Sequence, residues 1–442
     1  MTLRFGTDGV RGHADTELTP ELVTALGRAA ARVLGAGPVV IGRDTRASGP
    51  RIEADLAAGL VAEGLTVDNV GVVPTPAVAH ASMTRWVTGA MISASHNAYG
   101  DNGIKFFAAG GRKLSDEVEE RLEAELDRLL HSPVPLPPPV AAPEDDSVGA
   151  AWVDAVVSSV PAGALDGLHL VVDCANGSAS HWAPGALERL GASVDVIHAE
   201  PDGTNINTGC GSTHPEDLQA RVLALGADAG LAFDGDADRV LAVDATGALV
   251  DGDHLIAICA MDRHRRGELV DDTVVVTVMA NLGFRLAMEA NGIRVEETAV
   301  GDRYVLEALA RGGWSLGGEQ SGHVIFPGLA TTGDGLLTGV QVLAAVQAAG
   351  QTLAEAATVM TSLPQVLLNV AVAERRPDIA DRLAGPIAEA EARLGTRGRV
   401  LIRPSGTEPL VRVMVEAEDT GLADEVAGTL AAAVDVASRA VG

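Results

Sequence analysis

Four short stretches of this chain gather side chains whose types and spacing suit chemistry. An apolar run, Gly89-Ala-Met-Ile, ends in Ser93-Ala-Ser-His-Asn97, which brings a hydroxyl, an imidazole and an amide to one turn. Ser95 there is a candidate nucleophile and His96 its neighbouring proton acceptor; alone, such a triplet is more often loop chemistry. Asp234-Gly-Asp-Ala-Asp238 sets three carboxylates at alternate residues, and in an extended chain these share one side. That much like charge is costly without a cation among it, and all-oxygen ligands favour Mg²⁺ or Ca²⁺ over zinc. An EF-hand is excluded, because Arg239 stands at the sixth position, where glycine is needed, and Ala245 at the twelfth, where glutamate is needed. Gly317-Gly-Glu-Gln-Ser-Gly-His323 offers acceptors and donors of the kind that bind sugar hydroxyls, although a glycine-rich connection looks the same. Arg403-Pro-Ser-Gly-Thr407 joins a guanidinium fork to two hydroxyls and a glycine amide, a set able to hold a phosphate dianion. A hairpin turn explains the Pro, Ser and Gly but not the arginine.

Lysine usage adds a fifth candidate. Of 32 basic residues only Lys105 and Lys113 are lysine, and both closely follow the serine loop. A lysine amine can be tuned to exchange its proton, which an arginine cannot, so Lys105 is a candidate acid or base. The opening Arg4-Phe-Gly-Thr-Asp-Gly-Val-Arg-Gly12 sets two arginines among three glycines, as a ligand loop or a plain turn would. Joined, a nucleophilic serine, a carboxylate-held cation, a phosphate clamp and a hydroxyl-reading loop are what phosphoryl transfer to and from a sugar requires, since that chemistry is mostly positioning and charge neutralisation.

The elements that must hold these loops follow a repeated pattern. Val39-Val-Ile-Gly-Arg-Asp-Thr-Arg46, Leu170-Val-Val-Asp-Cys-Ala-Asn-Gly177 and Val274-Val-Val-Thr-Val-Met-Ala-Asn281 each read as a buried parallel strand, a polar turn and the start of a helix. Second strands begin near Leu65, Ala192 and Ile293, and third strands end in the serine, aspartate and glutamate loops. Three βαβ-type units thus place three different loops at one structural position, where a single cleft could gather them. Pro20 opens a first helix with a stripe of Leu22, Leu26, Ala29, Ala30 and Val33, and Ser115 is expected to cap a later one. Residues 131–143 hold six prolines and read as a linker; Val240-Leu-Ala-Val-Asp244 reads as the last edge strand of the second unit. After Pro364 the order changes to strand, helix over 380–394, two strands and a terminal helix, a smaller α+β domain. The expected domains are 1–148, 149–250, 251–363 and 364–442.

Composition narrows the partners. At 442 residues and 47% apolar content, several cores are expected. A formal charge of −28 argues against nucleic acid and acidic membrane surfaces but leaves a small phosphorylated ligand open. With no basic-then-apolar leader and no membrane-spanning run, the expected compartment is the cytoplasm. Cys174, Cys210 and Cys259 lack metal or disulfide spacing and read as reduced packing residues.

Phe5-Gly-Thr-Asp-Gly-Val-Arg-Gly12, Ser93-Ala-Ser-His-Asn97 with Asp101-Asn-Gly-Ile-Lys-Phe-Phe107, Asp234-Gly-Asp-Ala-Asp-Arg239, Gly318-Glu-Gln-Ser-Gly-His323 and Arg403-Pro-Ser-Gly-Thr-Glu-Pro409 together resemble the α-D-phosphohexomutases, in the right order and across the whole chain. The first motif, Val300-Gly-Asp-Arg-Tyr-Val305 and Gln320 resemble the family's glucosamine-phosphate branch; the phosphomannomutase and phosphoglucomutase branch is the alternative. The resemblance implies a four-domain, heart-shaped α/β enzyme with mixed sheets and a smaller C-terminal domain. It implies an isomerase that interconverts glucosamine 6-phosphate and glucosamine 1-phosphate on the bacterial route to UDP-N-acetylglucosamine and peptidoglycan. Ser95 would be a phosphoserine and, with Asp234, Asp236 and Asp238, would hold one Mg²⁺ per chain. A hexosamine 1,6-bisphosphate would be the intermediate. Lys105, His96 and Arg11 would assist catalysis, Glu319 and Ser321 would bind sugar hydroxyls, and Arg403, Ser405, Gly406 and Thr407 would grip the non-reacting phosphate. One departure is Ala98, where the family commonly has proline, which loosens the expected rigidity of the serine loop. An aspartyl-phosphate phosphatase using Asp234 and a non-enzymatic sugar-phosphate sensor are the readings from other classes, and a homodimer is left open.

Overall fold

A computed structural model describes residues 9–35, 37–132, 135–140, 143–373, 378–404 and 409–439. Contacts divide it into two units, Met1–Met279 with Ile293–Val359, and Ala280–Gly292 with Met360–Gly442.

The first unit contains three sheets built on one plan. β1 (Val10–His13), β2 (Val39–Arg43), β3 (Val67–Val72), β4 (Thr88–Ile92) and β5 (Asp101–Phe107) are ordered β1-β5-β4-β2-β3. β6 (His169–Asp173), β7 (Ser193–Ile197), β8 (Ala229–Phe233), β9 (Val240–Asp244) and β10 (Leu249–Val250) are ordered β10-β9-β8-β6-β7. β11 (Thr273–Thr277), β12 (Arg294–Thr298), β13 (Gly317–Gly318) and β14 (Val324–Ile325) are ordered β12-β11-β13-β14. In each sheet the first repeat strand runs parallel to its two successors, one on either side, and the third is followed by an antiparallel partner. The serine, aspartate and glutamate loops are therefore the β4–β5, β8–β9 and β13–β14 connections, equivalent in topology. The first repeat strands are apolar and buried because helices cover both faces of a parallel sheet: Val39, Val40, Ile41, Val171, Val172, Val274 and Val275 are at most 2% exposed.

Helix Pro20–Leu34 starts as its sequence suggests. Thr19 caps it by accepting from Leu22 N, Pro20 lies in the first turn, and Leu22, Leu26, Ala29 and Ala30 are buried while Val33 packs partly buried against the same core. It crosses helix Gly49–Ala62 on small residues. A Cβ on Gly59 would lie 2.2 Å from the Thr24 carbonyl, and one on Gly27 would lie 2.4 Å from that of Leu56.

Several expectations change. β9 is interior, with all five residues buried, because a short edge strand, β10, follows it in the sheet. Ser115 stands at the N-cap of helix Asp116–His131 but makes no side-chain capping bond; Asp116, Glu117 and Glu119 in the first turn favour that terminus electrostatically instead. The third strand of the third repeat shrinks to two glycines.

The second unit holds β15 (Gln365–Ala371), β16 (Arg399–Pro404) and β17 (Leu410–Glu416) in the antiparallel order β15-β17-β16, with helix Thr420–Arg439. The helix expected over 380–394 is two segments, Ile379–Arg382 and Ala384–Leu394. Helix Leu282–Ala290, the first helix of the third repeat by sequence, groups with this unit. Leu282 N donates to Glu416 Oε2 at 2.9 Å, and Asn281 exchanges hydrogen bonds with the main chain of Leu363.

Gly59→Ala should destabilise the first sheet's helix layer by about 1–3 kcal/mol through overpacking, seen in calorimetry as a melting midpoint lower by several degrees. An unchanged midpoint would mean that the two helices are not in close contact.

Candidate functional site

β4 ends the buried run, and the turn after it is shaped by its own polar groups. Ser93 Oγ donates to Asp44 Oδ2 at 2.6 Å and accepts from Ser95 N at 2.9 Å. Ser95 takes φ 52°, a left-handed conformation unusual for a side chain-bearing residue. That bend aims its hydroxyl at the second sheet, where Ser95 Oγ donates to Asp234 Oδ2 at 2.6 Å; His96 Nδ1 lies 3.3 Å from the same hydroxyl. The β4–β5 and β8–β9 loops thus meet, although 139 residues separate these partners.

The three carboxylates converge as their alternation predicts. Asp234, Asp236 and Asp238 are 1%, 0% and 7% exposed, with ligand oxygens within 4.8 Å of one another. Asp236 Oδ2 accepts from Thr75 Oγ1 at 2.5 Å and from Lys105 Nζ at 2.7 Å, and Lys105 also lies 3.4 Å from Asp238 Oδ2. The other oxygens, Asp236 Oδ1 and Asp238 Oδ1, are buried with no hydrogen-bond partner among the described residues, though Asp238 Oδ1 has a longer ion pair with His323. Burial and the carboxylates of Asp236 and Asp238 push the Asp234 carboxyl up to about 8. Burial opposes charge on Asp238 too, but Lys105, His323 and Arg239 outweigh it and hold that group well below the usual range. An Asp236 oxygen with no hydrogen-bond partner among the described residues, and a neighbouring carboxyl that resists ionisation, are what a hard divalent cation relieves, so these residues fit one.

Cationic groups ring the cluster. Arg239 Nη1 lies 3.1 Å from His96 Nδ1, and burial together with Arg239 and Arg11 lowers the His96 pKa, leaving a neutral ring near pH 7. Arg11 stands on β1 opposite Gly103 of β5, the strand that carries Lys105. A chain of alternating charges crosses the first unit: Lys113 Nζ is 2.5 Å from Asp302 Oδ2, Asp302 is 3.4 Å from His323 Nε2, and His323 Nδ1 is 3.6 Å from Asp238 Oδ1.

The third loop is also near. Glu319 is largely buried, accepts from Gly301 N at 3.2 Å and is raised by burial against the pull of His323 and Arg239; Ser321 is exposed. In the second unit, Arg403 on β16 faces Arg412 on β17 in register, and burial and that neighbour both disfavour its charge. Like charges directly opposite are destabilising unless an anion is shared between them. Ser405, Gly406 and Thr407, and Phe5 to Asp8 of the first motif, lie outside the described residues.

Sequence reasoning missed Arg46, Asn207, Thr75, Arg239 and Arg412. Arg46 Nη1 donates to the carbonyls of Ala98 and Asp101, so the loop is tied at the very residue whose lack of proline suggested looseness. Only its place directly after an apolar strand could have flagged Arg46. The three cysteines are free and buried, as expected. Asp173, His198 and Cys210 also bring metal-ligand atom types together. Both Asp173 oxygens, however, already accept from main-chain N–H groups, of Ala175 and Gly211. No helix among the described residues is long and apolar enough to cross a membrane.

Known proteins are similar to this chain along its length. Models of the phosphoglucomutase/phosphomannomutase α/β/α domains I, II and III match residues 2–131, 150–247 and 251–363, and that of the C-terminal domain matches 367–433. The phosphoglucosamine mutase of Saccharopolyspora erythraea is 54% identical over 439 residues, 98% of each chain. That of Thermobifida fusca is 53% identical over 440 residues, again 98% of each chain. Among solved structures, a phosphoglucomutase/phosphomannomutase family protein from Burkholderia thailandensis superposes with a TM-score of 0.80 at 23% identity, covering 99% of this chain and 98% of that one. The Aspergillus fumigatus N-acetylphosphoglucosamine mutase, solved with GlcNAc-6P and magnesium, gives a TM-score of 0.68 at 20% identity over 99% of this chain and 96% of that one. With all four domain models matched in order and relatives above half identity along the whole chain, the protein belongs to the phosphoglucomutase/phosphomannomutase family.

Proposed function

We propose that the chain interconverts glucosamine 6-phosphate and glucosamine 1-phosphate, the reaction of phosphoglucosamine mutase, with Ser95 carrying the transferred phosphoryl group. The observation that carries this reading is the 2.6 Å approach of Ser95 Oγ to Asp234 inside a buried cluster of three carboxylates. The S. erythraea and T. fusca relatives supply the choice of amino sugar. An idle serine, as an aspartyl-phosphate phosphatase would have, gives no reason for that contact or for the bend at Ser95.

Asp234, Asp236 and Asp238, with an oxygen of phosphorylated Ser95, would hold one Mg²⁺. When bound, the cation neutralises the carboxylates and shares the charge of the transferring phosphoryl group. Ser95 gives its phosphoryl group to the free hydroxyl of the sugar phosphate, forming a 1,6-bisphosphate. The intermediate turns over, and its other phosphoryl group returns to Ser95 Oγ. Neutral His96 is placed to accept a hydroxyl proton, while Lys105, fixed on Asp236, and Arg11 carry positive charge toward the reacting phosphate. Glu319 and Ser321 take sugar hydroxyls. Arg403, with Ser405, Gly406 and Thr407, grips the phosphate that does not react; the pairing of Arg403 with Arg412 supports an anion there. The domain limits that fit this division of labour are 1–148, 149–250, 251–363 and 364–442, and the compartment is the cytoplasm, where UDP-N-acetylglucosamine precursors are made.

Three measurements test the reading. Ser95→Ala should reduce mutase turnover by at least about a thousandfold, measured on protein pretreated with a hexose 1,6-bisphosphate; near-parental turnover would refute a serine carrier. Chelation followed by Mg²⁺ titration should raise the melting midpoint of the parent protein and restore turnover. The same titration should leave Asp236→Asn unmoved, and an equal stabilisation of that variant would rule out the carboxylate site. Side by side, kcat/KM should be higher for glucosamine 6-phosphate than for glucose or mannose 6-phosphate by about tenfold or more, and a preference for mannose would assign the chain to the other branch.

A further inference from the structure

The carbonyl oxygens of Ser95 and Asn97 are each gripped twice. From the first sheet, Arg46 Nη2 donates to Ser95 O at 3.0 Å and to Asn97 O at 2.9 Å. From the second sheet, Asn207 Nδ2 donates to the same two atoms at 2.8 and 3.0 Å. Arg46 is itself immobilised. Its side chain is fully buried, its Nε donates to Asp44 Oδ2 at 2.9 Å, and its remaining donors hold the carbonyls of Ala98 and Asp101. Asp44 in turn takes the hydroxyl of Ser93, the side chain that orients the Ser95 amide. Asn207 sits in a left-handed conformation, φ 57°, pinned by its own N–H to Ala175 O at 2.9 Å. The aspartate loop is fitted to the same joint, since a Cβ on Gly235 would meet Ser95 O at 2.6 Å and Asn207 Nδ2 at 2.9 Å.

A buried guanidinium with both of its terminal nitrogens spent on one turn is more than packing requires. The turn it holds carries Ser95, whose strained backbone would otherwise relax and swing the hydroxyl away from the carboxylates. We infer that Arg46 and Asn207 are positioning residues for phosphoryl transfer, which fix Ser95 Oγ against Asp234 by clamping the Ser95 and Asn97 carbonyls from two sheets. The inference rests on Ser95 being the phosphoryl carrier. Neither side chain touches the reacting atoms; both act through the main chain of the loop. A displacement of about 1 Å at a reacting centre can cost on the order of a hundredfold in rate.

Asn207→Gly keeps the left-handed backbone and deletes both donors, while Arg46→Lys keeps the charge beside Asp44 and loses the fork. With full-length protein preloaded by a hexose 1,6-bisphosphate, each variant should lose about ten- to a hundredfold in kcat with KM within threefold of the parent. The double variant should fall little further than the worse single, because both residues hold the same two oxygens. A purely structural role predicts a lower melting midpoint with kcat unchanged well below it, and that result would overturn the inference. Should Arg46→Lys fail to fold, Asn207→Gly decides alone. Ser95→Ala, run alongside, separates the two levels: an active Ser95→Ala refutes the carrier reading, whereas an inactive Ser95→Ala beside fully active Asn207→Gly and Arg46→Lys refutes only the clamp.

Discussion

Three carboxylates buried within a few ångströms of each other are the constraint to which the rest of the first unit answers. An unpaired buried charge costs several kcal/mol, and repulsion among three adds to it. The protein meets this by surrounding the cluster with fixed opposite charge. Lys105 comes from β5 of the first sheet, Arg239 from the end of the aspartate loop, and His323 from the third. Thr75 adds a hydroxyl from the first. No single sheet supplies enough of these partners, so a stable cluster requires the three to be docked. The relation also runs the other way, because the docked arrangement leaves an Asp236 oxygen without a hydrogen-bond partner among the described residues and creates a place for a cation.

Repetition explains how such a junction is assembled economically. One topological plan, used three times, sends each third strand to the same kind of end and each polar loop to a common point. The loops share position and diverge in content: a hydroxyl and imidazole in the first, carboxylates in the second, a carboxylate with glycines in the third. The chain of Lys113, Asp302, His323, Asp238 and Lys105 then ties all three together with alternating charge.

The parts legible in the sequence were those governed by local period and by side-chain type. Apolar runs of four or five residues fixed the repeat strands, and alternate aspartates could only lie on one side of an extended turn. The unread parts involve partners that leave no trace in residue type. Arg46 and Asn207 bind main-chain carbonyls, which every residue has, so nothing in the spelling of the serine loop announces its clamps. The grouping of helix Leu282–Ala290 with the second unit depends on Glu416, 134 residues away from Leu282. β9 looked like an edge because the two-residue strand that covers it is too short to show a period. Arg412 was passed over because it alternates within a strand as any exposed residue would, and its meaning comes only from the register that sets it against Arg403.

In each of the three sheets the polar loop joins a strand to its own antiparallel neighbour, where most parallel α/β folds would send the chain into a helix. A hairpin connection has hydrogen-bond ladders on both flanks, so the spacing and direction of its two ends are set by the sheet itself. A loop that runs into a helix is held by a ladder on one side only. Each polar loop here therefore stands on a base fixed at both ends, which leaves only its tip to be positioned by contacts with the neighbouring sheets.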